Sequence, residues 1–183
     1  MVLVEVDRSR ANPLKDHDSI AAAGETFAYN VLHPLFQDTN PSVMTRRSRA
    51  REVALQLLFQ RDHNPGVLRP ALEQFARDRL HDPALVDFCL TLFDGVLSHL
   101  EEIDRRLAGA AENWRLPRMA TVDRNVLRLG AFELLFTSGE TPSAVAFDEA
   151  IELARRYGSA DSPAFVNGVL DRLRREAQPQ VSS

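Results

Sequence analysis

Five arginines fall within TRRSRAREVALQLLFQR, Thr45 to Arg61, in a chain whose formal net charge is -4. Guanidinium groups hold phosphates and stack on bases, so the chemistry such a cluster can do is contact with nucleic acid. Ala50, Val53, Ala54, Leu57 and Leu58 recur at spacings of three and four, which predicts an amphipathic helix with one core-facing stripe. Arg49 and Arg51 project to either side of that stripe, and Arg46 and Arg47 lie in or just before its first turn. The positive end of a helix dipole disfavours each cation by roughly 0.3 to 1 kcal/mol, so local helix stability does not explain the cluster.

Charge along the chain points the same way. Residues 1–44 carry three basic and six acidic side chains, residues 45–61 five and one, and the remainder fourteen and nineteen. An acidic body with one compact basic edge suits a protein that meets nucleic acid at one place; the alternative is a solvated helix end.

Two aromatic residues sit off the expected core stripes. Phe59 shares the i, i+4 row of Arg51 and Leu55, away from the first stripe, and Phe165 stands beside Asn167 in the first turn of the last helix, off the line of Val166, Val169, Leu170 and Leu173. Exposed rings near helix ends can stack unpaired bases while arginines hold the backbone, the combination that single-stranded RNA recognition uses. The alternative is that both rings pack against neighbouring helices.

Other chemistries lack their residues. The eight glycines are never closer than nine positions apart, which excludes a P-loop and a G-x-G-x-x-G turn. The five histidines show no H-x-x-x-H pattern, and the single Cys89 sits among apolar neighbours as a buried thiol. Glu101 with Glu102, and Asp148 with Glu149, are adjacent pairs pointing in different directions on helices. No catalytic residue, metal or cofactor is expected, so the chain reads as a non-enzyme. Without an 18-residue apolar run or a basic n-region and apolar h-region at the start, it reads as cytoplasmic, with no membrane partner.

The elements that must position the arginines are helical throughout. VLRPALEQFARDRL, residues 67–80, reads as a short helix with Leu72, Phe75, Ala76 and Leu80 inward. From Asp82 as N-cap and Pro83 at the first helical position, one long helix is expected to run to about Ala111 and form the spine of the fold. VDRNVLRLGAFELLF is apolar nearly all round, as a central helix is, with Gly130 and Ala131 allowing close approach. Thr141 and Pro142 open a helix that Gly158 closes, and Ser162 and Pro163 open the last one. The expected fold is all-α, six or seven helices in packed bundles, with short connections implying antiparallel neighbours. Residues 1–44 read as a poorly ordered extension, residues 45–177 as the helical domain and residues 178–183 as a polar tail. Met44 stands directly before the arginines, so a translation start there is one reading of the extension.

RRSRAREVALQLLFQ, VDRNVLRLGAFELLF and TPSAVAFDEAIELARRYGSADSPAFVNGVLDRL, in this order and spacing, resemble the NusB family of transcription antitermination factors over about residues 45–176. Phe165 to Asp171 is the most specific piece. The resemblance implies two packed helical bundles that bind single-stranded boxA-type RNA together with a small-subunit ribosomal protein, NusE. It also implies action within the RNA polymerase antitermination complex on ribosomal RNA operons. Carried over by motif, Arg46, Arg47, Arg49, Arg51, Phe59, Phe165 and Asn167 are the RNA-binding candidates, with three to five cations in contact. Glu133 and Asp161 are candidates for partner contact. Departures include Ser48 within the arginine run, Phe59 in place of a common tyrosine, and Asp148 in place of an asparagine. Two other readings stay open. One is a stand-alone RNA-binding module related to the N-terminal domain of ribosomal RNA cytosine methyltransferases. The other is a homodimer that masks the basic edge.

Overall fold

The computed structural model describes residues 46–111, 116–137 and 141–177, and the expectations for residues 1–44 and the tail 178–183 lie outside them. Seven α-helices and one short 3-10 turn make up the described architecture: α1 (Arg46–His63), α2 (Arg69–Leu80), α3 (Pro83–Ser98), α4 (Leu100–Ala110), the 3-10 turn Leu116–Arg118, α5 (Thr121–Phe136), α6 (Ser143–Tyr157) and α7 (Ser162–Ala177). The first three helices pack on one another, the last four form a second bundle, and α5 joins the two by packing against α1, α3, α4, α6 and α7. Among the described residues there is no strand, and no single helix is long and apolar enough to cross a membrane.

Helix α1 is buried more completely than one apolar stripe predicts. Every residue from Ala50 to Gln60 is buried, because α2 and α3 cover one side of the helix and α5 another. The row expected to face away from the core, Arg51, Leu55 and Phe59, is therefore inside, at 2%, 0% and 5% exposure. Its axis runs antiparallel to α5. Arg51, near the start of α1, meets Glu133 near the end of α5, while Asp62 at the other end receives hydrogen bonds from Arg124 at 2.8 Å and Asn125 at 3.2 Å. Arg128 ties the same corner to α4 through two hydrogen bonds to Asp104, at 2.8 and 2.7 Å. Burial disfavours the Arg128 charge, but hydrogen bonding and attraction to Asp104, with the Asp62 charge, outweigh it and raise its pKa.

The expected long helix is two. α3 and α4 meet at 75°, with His99 as the hinge, so the spine of the fold is α5 instead. The His99 N–H and its Nδ1 both reach the Gly95 carbonyl, at 3.2 and 2.9 Å, and its own carbonyl accepts from Ile103 at 2.8 Å. Its ring packs against Phe136 and Phe132 of α5, with centroids 4.2 and 5.8 Å away. Beside the bend, Gly95 lets the Phe132 ring of α5 come close, since a Cβ there would overlap it. Apolar periodicity continues across the hinge and carries no sign of it. Asp82 and Pro83 open α3 as expected, the Asp82 side chain accepting from the Ala84 N–H at 2.9 Å.

At the centre of the second bundle, Gly130 lets α5, α6 and α7 meet. A Cβ there would stand 2.8 Å from Leu170 Cδ1 and 3.1 Å from the Ala150 Cβ. On two of these helices, Leu127 and Leu129 of α5 and Leu170 and Leu173 of α7 are buried at 2% exposure or less, each contributing about 1.5 to 3 kcal/mol by burial.

Candidate nucleic-acid interface

The arginine-bearing end of α1 is held from three sides. Arg46 projects outward with its side chain 76% exposed and pairs with Asp82, the residue that caps α3. Arg47 is exposed and carries its guanidinium 5.0 Å from the centroid of the Phe88 ring on α3. Ser48 is buried and donates from Oγ to Glu149 Oε1 of α6 at 2.5 Å, so the residue that interrupts the arginine run docks this end onto the second bundle. Arg49, 30% exposed, reaches Glu52 of its own helix at 2.5 Å.

Arg51 is a different kind of residue. Its Nε and Nη2 donate to Glu133 Oε2 and Oε1 at 2.9 and 2.8 Å, and its guanidinium lies 5.2 Å from the same Phe88 ring. Both side chains of the pair are 2% exposed. The expectation that Arg51 faces RNA and that Glu133 faces a protein partner is corrected here: each neutralises the other inside the fold. Burying either charge alone is costly, whereas a two-bonded guanidinium–carboxylate pair fixes the start of α1 against the end of α5.

Phe59 is corrected in the same way. Its ring stacks on His63 at 4.1 Å between centroids, and the His63 Nδ1 lies 2.9 Å from the Phe59 carbonyl. With 5% of its surface exposed, it offers no face to a base.

The second candidate cluster lies on α7. Phe165 is half-buried against the core, Asn167 is exposed one residue beyond the buried Val166, and Asp161 is exposed just before the helix. The turn into α7 is built by Ser162, whose Oγ accepts from the Ser159 N–H at 2.8 Å, and by the Phe165 N–H donating to the Asp161 carbonyl at 3.1 Å. Gly158 is required there, because a Cβ would overlap the Ser162 side chain. Beside this turn, at the end of α6, Glu152 receives Arg155 and Arg156. Burial pushes its carboxyl upward, and the hydrogen bonds from Arg156 and Arg155 outweigh that and hold it below the usual value.

Ser48 meets α6 at Glu149, and α7, which carries Phe165 and Asn167, turns back after Tyr157 and packs against α6. Asp82 and Phe88, which hold the exposed arginines, carry no signal of that role in the sequence, because they also fit ordinary ones, a helix cap and a core position.

Fold and site together define a small all-helical protein with a basic helix start braced by the helices around it. Residues 48–175 match the model of the NusB family. The chain is 42% identical over 137 residues to the transcription antitermination protein NusB of Trichlorobacter lovleyi, covering 75% of this chain and 94% of that one. It is 48% identical over 130 residues to that of Sorangium cellulosum, covering 71% and 92%. The structure superposes on T. maritima NusB with a TM-score of 0.65 at 38% identity, covering 75% of this chain and 96% of the other. It superposes equally, at 0.65 and 25% identity, on a chain from a structure of antitermination factors NusB and NusE in complex with double-stranded RNA, covering 73% and 99%. This chain belongs to the NusB family.

Proposed function

We propose that this protein is an RNA-binding transcription antitermination factor that takes single-stranded boxA-type RNA together with the ribosomal protein NusE and acts, in the cytoplasm, on ribosomal RNA operons. Family membership supports the class, and a related chain has been seen with NusE and RNA. The observation that carries the reading is the open end of α1, where Arg46 stands 76% exposed beside an exposed Arg47. The Arg46–Asp82 pair at the surface is worth little, about 0 to 1 kcal/mol, so a phosphate can displace the carboxylate. Arg49 is a third, half-covered cation. Two to three cations therefore replace the three to five expected from the motif.

On this reading, RNA runs from the α1 end toward α7, where Phe165 stacks a base and Asn167 hydrogen-bonds a base edge or the backbone. Asp161 remains the candidate for contact with the protein partner. The test is fluorescence anisotropy with a short boxA-type RNA and a scrambled control, with and without NusE. Selective binding that NusE tightens is the expected result; equal affinity for both RNAs, unchanged by NusE, contradicts it.

A further inference from the structure

Phe88 is a half-buried ring that two arginines of the basic edge share. The Arg47 and Arg51 guanidiniums lie 5.0 and 5.2 Å from its centroid. Arg51 is fixed by Glu133, and Phe88 is fixed by its position on α3 one residue before the fully buried Cys89. Arg47, by contrast, is exposed. A cation over a ring face keeps its N–H edges directed outward, since the interaction engages the plane of the guanidinium and leaves its donors available.

We propose that Phe88 is a positioning residue of the RNA interface: it holds the Arg47 guanidinium on its ring face so that the donors point to a backbone phosphate. The inference rests on the RNA-binding reading above and extends the interface from α1 onto α3. A cation–π contact near the surface restricts a long side chain before the phosphate arrives, so less of its freedom is lost on binding. Asp82 plays the parallel part for Arg46 through charge, but it competes with the phosphate for the same donors, which the ring does not.

The test is a double-mutant cycle read by RNA anisotropy, using Phe88→Leu, Phe88→Tyr, Arg47→Ala and the Phe88→Leu/Arg47→Ala pair, with circular dichroism and urea unfolding on each variant. Phe88→Leu keeps an apolar side chain against the core and removes the ring. The expected result is a roughly two- to five-fold loss of affinity in Phe88→Leu, recovery in Phe88→Tyr, and no further loss when Phe88→Leu is added to Arg47→Ala. If Arg47→Ala weakens binding while Phe88→Leu does not, or if the two losses simply add, the positioning role is overturned and the RNA-binding reading stands. If Arg47→Ala binds RNA as the wild type does, the reading of the α1 edge fails and the proposal fails with it. Should Phe88→Leu unfold, Phe88→Tyr against Phe88→Met repeats the comparison of ring with no ring.

Discussion

Arg51 and Glu133 are joined by two hydrogen bonds at 2.9 and 2.8 Å, with each side chain 2% exposed, across 82 residues of sequence. The pair sets where the basic end of α1 stands relative to the central helix. Replacing Arg51 or Glu133 singly with Ala leaves an uncompensated buried charge, so each is expected to lower the unfolding free energy by about 3 to 5 kcal/mol. Replacing both with apolar residues of similar volume, as in Arg51→Met with Glu133→Leu, is expected to cost much less than the two single changes together. Urea denaturation of the four proteins measures this. Additive losses in the double variant contradict the pairing.

The packing of α5 beside the His99 hinge depends on a position without a side chain. Gly95→Ala places a methyl group inside the Phe132 ring's contact surface, and overpacking of that kind costs typically about 1 to 3 kcal/mol. Phe132 cannot step aside freely, because it packs with His99 and Phe136. A lowered urea midpoint is expected, and a wild-type midpoint contradicts the close contact of Phe132 with Gly95.

Cys89 has no accessible surface, and burial pushes its thiol up from 9.0 to about 12, with the Asp94 charge adding to the rise and Arg69 opposing it. A raised pKa in the folded state means that the neutral thiol is favoured by folding. Its stabilising contribution is complete below the unfolded value near 9.0 and is lost as pH rises toward about 12. At pH 8 an alkylating reagent is therefore expected to label the native protein far more slowly than the protein in denaturing urea. Equal rates contradict the burial.

Phe165→Ala is expected to weaken RNA binding by about 1 to 3 kcal/mol if the ring stacks a base, with Phe165→Tyr retaining most of the affinity. Because Phe165 also packs partly against the core, unfolding is measured on the same samples. Unchanged affinity in a folded Phe165→Ala protein assigns the ring to packing alone.

Much of this fold was legible in the sequence. The helical periods, the Asp82–Pro83 start, the central character of α5 and the Gly158 stop are local signals, and the structure shows each of these four. The bend between α3 and α4 was not legible, because Leu100, Ile103 and Leu107 continue the apolar repeat through His99. The site divides along the same line. The arginine cluster was visible, but which arginines face solvent depends on Glu133 and Phe88, far away in sequence. Phe59 misled for a related reason: angle around a helix predicts exposure only when one side has a neighbour, and α1 has neighbours on several.

The most direct test of the central claim is the salt dependence of RNA affinity for the wild type and an Arg46→Ala/Arg47→Ala variant, with thermal unfolding as a control. Each phosphate-neutralising cation on a single strand contributes about -0.7 to the slope of log affinity against log salt. The wild type is expected to show a slope of roughly -1.4 to -2.1 for two to three cations, and the variant, equally stable, a slope shallower by about 1.4 and a lower affinity. A wild-type affinity that ignores salt, or a variant that matches the wild type in both slope and affinity, contradicts the assignment of the α1 edge to RNA.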